Sequence, residues 1–534
     1  MGNCLAGPKA AILRRENARL RAELSKAKAQ AGIPPTPGLG PDHRNPKKTY
    51  KGKPEVVVIV DPYSSGQYLV QEFERQLWPM VGVQSSQELA GFWLAQFDEG
   101  QFAASVQHKD LKSTLRQLEE FKVVAVLPGS EPGVELAEEL TGALNLPGND
   151  PKTTKCRRHK YHMQERLREM KVRAIRQTFS NDVDEILKWQ SQWGRWPVVI
   201  KPAESGGTDG VYMCFNEADV RSAVSKELGV LNCNGVVNDK LLVQEYLDGD
   251  EYIVNTVSYG GEHVISGILV YQKRKDPATK SITWENTRFL EPHGEIQDQL
   301  VEYTFRCLNA LGIRHGAAHS EIMMTADGPC MVETGARMHG LKGPKITELA
   351  TGLGTHELLV DIAVNEARVF KAILKQNYRY VLKKFSFETG LLNFGPDGIL
   401  AEPIDVQRIR SLPSVVDVKE TVKVGQYMPT TRDLATVAGV ITQVFPTLEQ
   451  CLADIAQIRK WEAEGFYVLE KPKAAAPAAV APPKGPSPKC SPMYAANHPV
   501  PFQLSPKPSF LPAGEVGELK LHLDSMEDLP EATI

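Results

Sequence analysis

The sequence predicts a multidomain protein of mixed α/β and α+β class, with an open α/β layer first and a small β-rich unit near the end. Three observations carry this prediction. The length of 534 residues corresponds to three or four domains at about 150 residues each. In the first part, apolar strand-like runs alternate with helix-like stretches, which is typical of a parallel sheet. From about residue 160 the strands follow one another at hairpin spacing, which favours antiparallel sheets.

The composition limits the classes of protein that fit. The chain is 42% hydrophobic and 24% charged, and its 62 basic and 65 acidic residues give a net charge of −3. This balance excludes a globally basic nucleic-acid-binding protein. No apolar run approaches the roughly 20 residues of a membrane span, and the first residues lack the apolar core of a secretory signal. Eight cysteines with no CxxC pair argue against a disulfide framework or a structural zinc site, so we expect a reducing cytoplasmic location.

Composition and pattern divide the chain into five segments. Both ends differ from the body: the first is basic and then rich in Pro and Gly, and the last is rich in Pro and Ala. Such segments bury too little apolar surface to offset the entropy of ordering, so we expect disordered tails. The segments are a basic arm (1–53), an α/β domain (54–150), a central domain (151–370), a β-rich domain (378–470) and a disordered tail (471–534).

The elements of the body follow from apolar periodicity and turn residues. In the first domain we predict strands at 56–60 and 123–127, helices at 67–77 and 131–144, and a turn at 64–66. Beyond it we predict helices at 160–170, 217–228, 297–311 and 447–463, and strands at 198–200, 211–215, 241–246, 252–258, 263–272, 317–324 and 329–334.

A lysine and a Gly-rich loop form the first candidate site. Lys201 ends an apolar strand, where we expect an exposed ammonium on a rigid base, and Ser205, Gly206 and Gly207 follow within a few residues. Backbone N–H groups of such a loop can close over an anion, because no Cβ blocks the approach. The pattern predicts a polyphosphate grip, although it is neither a Walker A motif nor GxGxxG. The alternative is a plain hairpin with a surface lysine.

The second candidate is the stretch 241–251. An apolar strand runs through Gln244 and Glu245 into Tyr246 and Leu247, and Glu251 follows one turn later. Backbone groups at such a strand end can pair with an adenine edge, and a carboxylate nearby can accept ribose hydroxyls. The alternative is a surface hairpin with solvated acids.

The third candidate is a pair of glutamates on neighbouring strands. Glu321 lies in the strand before an Asp-Gly turn and Glu333 in the strand after it, so a hairpin would place both on one face. Two carboxylates together with substrate phosphates are the usual ligands of Mg²⁺. Arg337, four residues further on, would supply a fixed cation for the charge that develops during transfer. The alternative is a cross-strand polar pair without a metal.

The order and spacing of these residues, with Lys160 before them, resemble the ATP-grasp superfamily over about residues 54–470. The stretches 316–321 (GAAHSE) and 333–337 (ETGAR) are most similar to its L-amino-acid ligases, which form dipeptides. The resemblance implies a two-lobed ATP-grasp domain at 151–370. It also implies roles for the candidate residues: phosphate contacts (Lys160, Lys201), a phosphate-covering loop (Ser205, Gly206, Gly207), adenine contacts (Gln244, Glu245, Tyr246, Leu247), a ribose contact (Glu251), magnesium ligands (Glu321, Glu333) and a catalytic cation (Arg337).

One position departs from the family pattern. Many members carry Asn two residues after the second metal glutamate, where this chain has Gly335. A ligand oxygen is therefore missing, and one metal site is expected to be weaker or completed by water. Four histidines, 293, 315, 319 and 339, are expected near the site, and only His319 is assigned a supporting role there.

The resemblance implies an ATP-dependent carboxylate–amine ligase that forms an amide or dipeptide through an acyl phosphate. Its cofactors would be ATP and Mg²⁺, with Mn²⁺ as an alternative to Mg²⁺. Its substrates would be small molecules, chiefly amino acids. Nucleic acid is not among its expected partners. A purine-pathway or biotin-carboxylase type of ligase is an alternative, although residues 269–274 lack the basic cluster of the biotin enzymes. A non-catalytic, membrane-tethered nucleotide-binding scaffold is another alternative. The protein is also expected to be a possible homodimer.

The N-terminus carries a separate pattern. Gly2 and Cys4 resemble a dual acylation signal for myristate and palmitate, although Ala6 replaces the preferred Ser or Thr. Two acyl chains and the basic segment behind them would hold the protein on the cytoplasmic face of a membrane. Apolar spacing over 13–31 also fits a short coiled coil with a polar Asn17, and a frayed solvated helix is the third alternative.

Overall fold

The computed structural model describes residues 49–50, 52–87, 89, 91–206, 209–232, 236–275, 282–432 and 436–470. Most of the predicted N-terminal arm, the whole predicted tail and Gly207 lie outside these residues. In the described part, no helix combines the length and the apolar character needed to cross a membrane.

The segment predicted as the first domain, which we call the first domain below, contains a five-stranded sheet. The apolar run at 56–60 forms the centre of β2 and is fully buried. Strands β2 to β5 run parallel to one another, and β1 pairs antiparallel with β2. The strands are β1 (Thr49–Tyr50), β2 (Lys53–Val60), β3 (Met80–Gln84), β4 (Ala104–Gln107) and β5 (Lys122–Pro128), and the helices are α1 (Gly66–Arg75), α2 (Gly91–Leu94), α3 (Leu111–Leu118) and α4 (Val134–Ala143).

The strand order of this sheet places two loops side by side. The order of the parallel strands is β4-β3-β2-β5, so the chain proceeds in one direction from β2 and then returns to the other side of it. The loops that follow β2 and β5 therefore meet at the carboxyl edge, where the Ser130 hydroxyl donates to the Asp61 carbonyl at 2.8 Å. Such a switch point is where open α/β sheets usually bind ligands.

A four-stranded antiparallel sheet follows, in the order β6-β9-β7-β8. Two helices cover it and share with it a small core that includes Ile186, Val198, Val220 and Val243. The elements of this region are α5 (Lys155–Arg158), α6 (Lys160–Glu169), β6 (Gln177–Ser180), α7 (Val183–Trp193), β7 (Val198–Lys201), β8 (Tyr212–Cys214), α8 (Glu217–Glu227) and β9 (Leu241–Glu245). We call β6–β9 with α7 and α8 the small lobe.

The largest sheet has eight antiparallel strands, in the order β14-β13-β10-β11-β12-β15-β19-β17. Its main core packs α9 and α6 against the first of these strands, around Leu269, Leu300 and Ile322. The elements are β10 (Gly249–Tyr259), β11 (Glu262–Lys275), β12 (Ile282–Phe289), α9 (Glu295–Ala310), β13 (Gly316–Thr325), β14 (Gly328–Gly335), α10 (Gly343–Thr351), α11 (Thr355–Val364), α12 (Arg368–Lys375) and β15 (Phe385–Leu391).

The last described part completes this sheet and adds a smaller one. Strands β15, β19 and β17 extend the large sheet, and a three-stranded sheet lies in the order β18-β16-β20. The elements are β16 (Gly398–Leu400), α13 (Val406–Arg410), β17 (Val415–Glu420), β18 (Tyr427–Met428), β19 (Gly439–Phe445), α14 (Leu448–Ala463) and β20 (Leu469–Glu470). The boundary predicted between 370 and 378 falls at the end of α12, yet the strands beyond it belong to the same sheet as the strands before it.

The fold class predicted from the sequence is confirmed, with a parallel layer first and antiparallel sheets after it. The sequence pattern missed β3 and β4, which are short, and it missed the three helices between 343 and 375. The five-segment division of the chain stays a prediction.

Candidate active site

The predicted carboxylate pair lies on one hairpin of the large sheet. Strands β13 and β14 are joined by a two-residue turn, and Glu321 is the register partner of Glu333. Directly opposite residues of antiparallel strands share a face, so both carboxylates are presented on the same side. Burial and the charge of Glu333 raise the pKa of Glu321. Two like charges in this position create a place where a cation would be stabilised.

Lys160 joins the small-lobe side of the site to this hairpin. It begins α6, and its Nζ lies 2.7 Å from Glu333 Oε2 and donates to the Ser205 carbonyl at 2.5 Å. Burial alone would raise the pKa of Glu333, but the nearby Lys160 ammonium lowers it overall. One lysine therefore touches both the predicted metal ligand and the predicted phosphate loop.

Lys201 is buried rather than exposed, which corrects the expectation from its place at a strand end. Only 7% of the residue is accessible, because β7 lies between β8 and β9 in the small lobe. Burial and the charge of Lys160 lower the pKa of Lys201 to about 8, against the opposing effect of Glu333, Glu321 and Glu251. The Lys201 ammonium is therefore close enough to the carboxylate pair to sense its charge.

The structure describes the predicted phosphate loop as far as Gly206. The Ser205 hydroxyl donates to Asp209 Oδ2 at 2.7 Å, and the Ser205 carbonyl accepts from Lys160. Both contacts fix the loop next to the two lysines. Gly207, the third predicted member, is outside the described residues.

The segment predicted to hold adenine and ribose follows the small lobe. Gln244 and Glu245 end β9, and Tyr246 and Leu247 lie partly buried in the link to β10. The Glu245 carboxylate accepts from the backbone N–H of Arg176 at 2.9 Å. Gln244 donates to Gln177 Oε1 at 3.0 Å, so both side chains are used within the lobe.

Glu251 lies on β10 and pairs with Lys273. Burial raises the pKa of Glu251, and Lys273 opposes this, while Glu321 and Glu333 raise it further. Glu251 is therefore close enough to the carboxylate pair to sense its charge. Its carboxylate already has a cationic partner.

Arg337 is held by a residue that the sequence analysis did not select. Its Nε donates to Glu131 Oε2 at 2.8 Å, and Glu131 also pairs with Arg158. Burial would raise the pKa of Glu131, but Arg158 and Arg337 hold it at about 2. Glu131 comes from the loop after β5, at the switch point of the first domain. An acidic residue directly after a buried parallel strand was the signal available in the sequence.

Gly335 makes room for this contact. A Cβ at position 335 would lie 2.8 Å from Glu131 Oε2 and 3.2 Å from Arg337 Cζ. The position that carries Asn in many ATP-grasp proteins thus faces a carboxylate from the first domain here. This gives a steric reason for glycine at this position.

The histidines divide into two groups. The buried His319 ring contacts two polar side chains: its Nδ1 lies 2.9 Å from Asn255 Oδ1, and its Nε2 lies 3.5 Å from Glu321 Oε1. The ring also stacks on His339, with the ring centroids 4.2 Å apart. Burial and then Arg337 lower the pKa of His319 to about 3, so the ring is neutral. The expectation that four histidines lie near the site was wrong for His293 and His315. His293 contacts Arg379, and His315 packs on Tyr259, away from the carboxylates.

The residues present fit a magnesium ion that is completed by phosphate. Among the described residues, no group of three or more His, Cys, Asp and Glu could hold a metal by itself. Glu321 and Glu333 offer two hard oxygen ligands on one face, and the Lys160 ammonium lies beside them. Mg²⁺ commonly binds through one or two carboxylates together with substrate phosphates.

Comparison with known proteins places this site in a family. A model of the ATP-grasp domain matches residues 194–345. Dapdiamide A synthase of Enterobacter agglomerans is 30% identical over 421 residues, which cover 78% of this chain and 97% of that protein. The chain belongs to the ATP-grasp ligases. It is accordingly an enzyme of the class that forms carbon–nitrogen bonds.

Solved structures agree with this ATP-grasp ligase in fold. The L-amino acid ligase from Bacillus licheniformis matches with a TM-score of 0.60 at 17% identity, over 80% of this chain and 100% of that one. Phosphoribosylglycinamide synthetase from Anaerococcus prevotii matches with a TM-score of 0.53 at 13% identity, over 78% and 100%. At these identities the likeness concerns the fold alone.

Proposed function

We propose that this ATP-grasp ligase joins the carboxylate of one amino acid to the amine of another, through an acyl phosphate, with release of ADP and phosphate. The observation that carries the proposal is the convergence of Lys160, Lys201, Glu321 and Glu333 with an Arg337 that Glu131 already holds in place. The similarity to dapdiamide A synthase and to an L-amino acid ligase supports it.

In the first step, a carboxylate oxygen of the acid substrate attacks the γ-phosphorus of ATP. The bond from the γ-phosphorus to the β–γ bridging oxygen breaks, and ADP leaves. Lys160 and Lys201 lie where they can neutralise the phosphates, and the negative charge of ATP would restore the full charge of Lys201. Glu321 and Glu333 would hold Mg²⁺, which supplies charge neutralisation and orients the phosphates when bound.

In the second step, the neutral amine attacks the acyl carbon. The carbon–oxygen bond to phosphate breaks, phosphate leaves, and the nitrogen loses one proton, which phosphate takes up. Arg337 is placed to stabilise the negative charge on the acyl group and on the departing phosphate. Catalysis here consists mainly of positioning and charge neutralisation.

The test is ADP release with mass analysis of products, for amino acids supplied singly and in pairs. The proposal expects stoichiometric ADP, phosphate and an amide only when both an acid and an amine are present. ADP release that requires bicarbonate would instead support a biotin-carboxylase type of reaction. Absence of turnover with every amino-acid pair would contradict the proposed substrates.

We also propose that the N-terminus is acylated on Gly2 and Cys4, a proposal that rests on the sequence because residues 1–4 lie outside the described part. The variant Gly2→Ala removes the amine that would accept myristate, and palmitate usually depends on prior myristoylation. We expect the variant to move from the membrane fraction to the soluble fraction of cells. A variant that stays fully bound to membranes would contradict acylation.

A further inference from the structure

A row of polar residues crosses the large sheet on the same face as the carboxylate pair. Tyr271, Thr287, Glu388, Thr442 and Asp417 are successive cross-strand partners from β11 to β17, so their side chains share one face. At one end the Tyr271 hydroxyl donates to Glu321 Oε1 at 3.4 Å. At the other end Lys342 Nζ donates to Asp417 Oδ2 at 2.5 Å. We call these five residues the polar row.

Glu388, in the middle of the polar row, differs from the other carboxylates around it. Asp417 pairs with Lys342, Glu348 with Lys345 and Glu72 with Arg75. The Glu388 carboxylate makes no hydrogen bond and no ion pair with any residue that the structure describes. Burial raises its pKa, against the more distant charges of Lys342 and Lys419.

Tyr68, in the first domain, lies close enough to Glu388 to sense its charge. It lies on α1, and burial together with the charges of Glu388, Glu348 and Asp417 raises the pKa of its hydroxyl. Within the described residues this hydroxyl has no hydrogen-bond partner either. Both side chains are partly exposed, so a ligand can reach acceptor atoms that no described residue occupies.

The two groups indicate the chemistry of a ligand that would bind between them. A carboxylate is an acceptor, and a tyrosine hydroxyl can accept as well, whereas an ammonium offers three donors and no acceptor. A protonated amine would therefore satisfy both groups at once. A carboxylate ligand would be repelled by Glu388.

The position of Glu388 shows which amine this would be. Glu388 is two strands beyond Tyr271 and four strands beyond Glu321, or roughly 19 Å along the sheet from the carboxylate pair. The attacking nitrogen must come within about 3–3.5 Å of the acyl carbon, at the carboxylate pair and Arg337, and it must be neutral. The amine at Glu388 is therefore a second one, which does not react.

We infer that Glu388 and Tyr68 recognise the charged side chain of a basic amino-acid substrate, such as lysine or ornithine. This inference rests on the proposed ligase function and adds the substrate class to it. The pair acts in specificity, because it holds the end of the substrate that lies far from the reacting atoms.

The experiment compares lysine with norleucine, which has a similar side chain without the charge. Each is offered as the acid and as the amine, with a panel of second amino acids, and kcat/KM is measured. The wild type should favour lysine at least about tenfold, the scale of one charge-assisted hydrogen bond. In Glu388→Gln the ratio should fall to about one, and Tyr68→Phe should reduce it by a smaller factor. Glu388→Lys should favour glutamate over lysine.

Glu402→Gln is the matched control, because Glu402 is an exposed glutamate in the same part of the chain. It should keep the wild-type ratio. A lysine preference that survives in Glu388→Gln, or its absence from the wild type, would overturn the inference. If no pair gives an amide, the proposed function fails, and calorimetric binding of lysine and norleucine in the presence of MgADP still tests the role of Glu388.

Discussion

The two ends of the large sheet's functional face differ in how their charges are satisfied. At the nucleotide end, Glu333 meets Lys160, Glu131 meets Arg337 and Glu251 meets Lys273. At the other end Glu388 makes no ion pair with a described residue. The difference teaches that the charges at the proposed nucleotide end are paired before any ligand binds, whereas the far end leaves the Glu388 carboxylate open to one.

The largest effect is expected from breaking the organised end at Glu333. Glu333→Gln keeps the size of the side chain but removes the charge that would hold magnesium and that pairs with Lys160. We expect kcat to fall by about a thousand-fold, since charge stabilisation by a metal is worth several kcal/mol. A magnesium titration of turnover measures it, with exposed Glu302→Gln as the control. Wild-type turnover at low magnesium would remove Glu333 from the metal site.

A second test concerns how Arg337 is held. Glu131→Gln weakens the contact that orients the guanidinium, and Gly335→Ala pushes a Cβ into the same carboxylate. Each should lower kcat by up to about 100-fold, because small misplacements at a reacting centre have effects of this size. The KM for ATP should change little. Since both variants disturb one contact, their effects should not add in the double variant, and additive effects would argue against this explanation.

Lys201 provides a third test, because it is a buried cation whose charge the phosphates of ATP would balance. Lys201→Met should weaken ATP binding by about 10–100-fold, measured by calorimetry. Without nucleotide, the folded pKa of about 8 lies below the ordinary value of 10.5. The unfolded chain therefore binds more protons between these values, so the stability of the wild type relative to Lys201→Met should increase from pH 8 to 10.5. An unchanged ATP affinity would remove Lys201 from the phosphate site.

The smallest effect is expected at the far end, in stability rather than rate. The folded pKa of Glu388 is raised, so its contribution to stability is present at low pH and is lost as the pH rises through the folded pKa. The melting temperature of Glu388→Gln should equal that of the wild type near pH 4. At pH 7 it should be higher than that of the wild type, by at most about 2 °C. A variant that melts lower at pH 7 would mean that Glu388 has a stabilising partner in the folded protein.

The sequence predicted those parts of the site that depend on local structure. The spacing around the turn at 326–327 was enough to pair Glu321 with Glu333, because a short hairpin fixes its own register. The burial of Lys201 could not be predicted, since it depends on the strands that pair on both sides of β7. Glu131 was missed because it reaches Arg337 from another domain, 206 positions away in sequence. The continuation of the large sheet into β15, β19 and β17 was missed for the same reason.

The contact between Gly335 and Glu131 also constrains how this enzyme can diverge. A side chain at 335 and a carboxylate at 131 compete for one volume, so neither position can change freely while the other stays. An Asn at 335 therefore requires a smaller residue at 131, and Arg337 would then need another anchor. The two positions should therefore vary together among relatives, and a homologue that combines Glu at the first with Asn at the second would have to place its arginine differently.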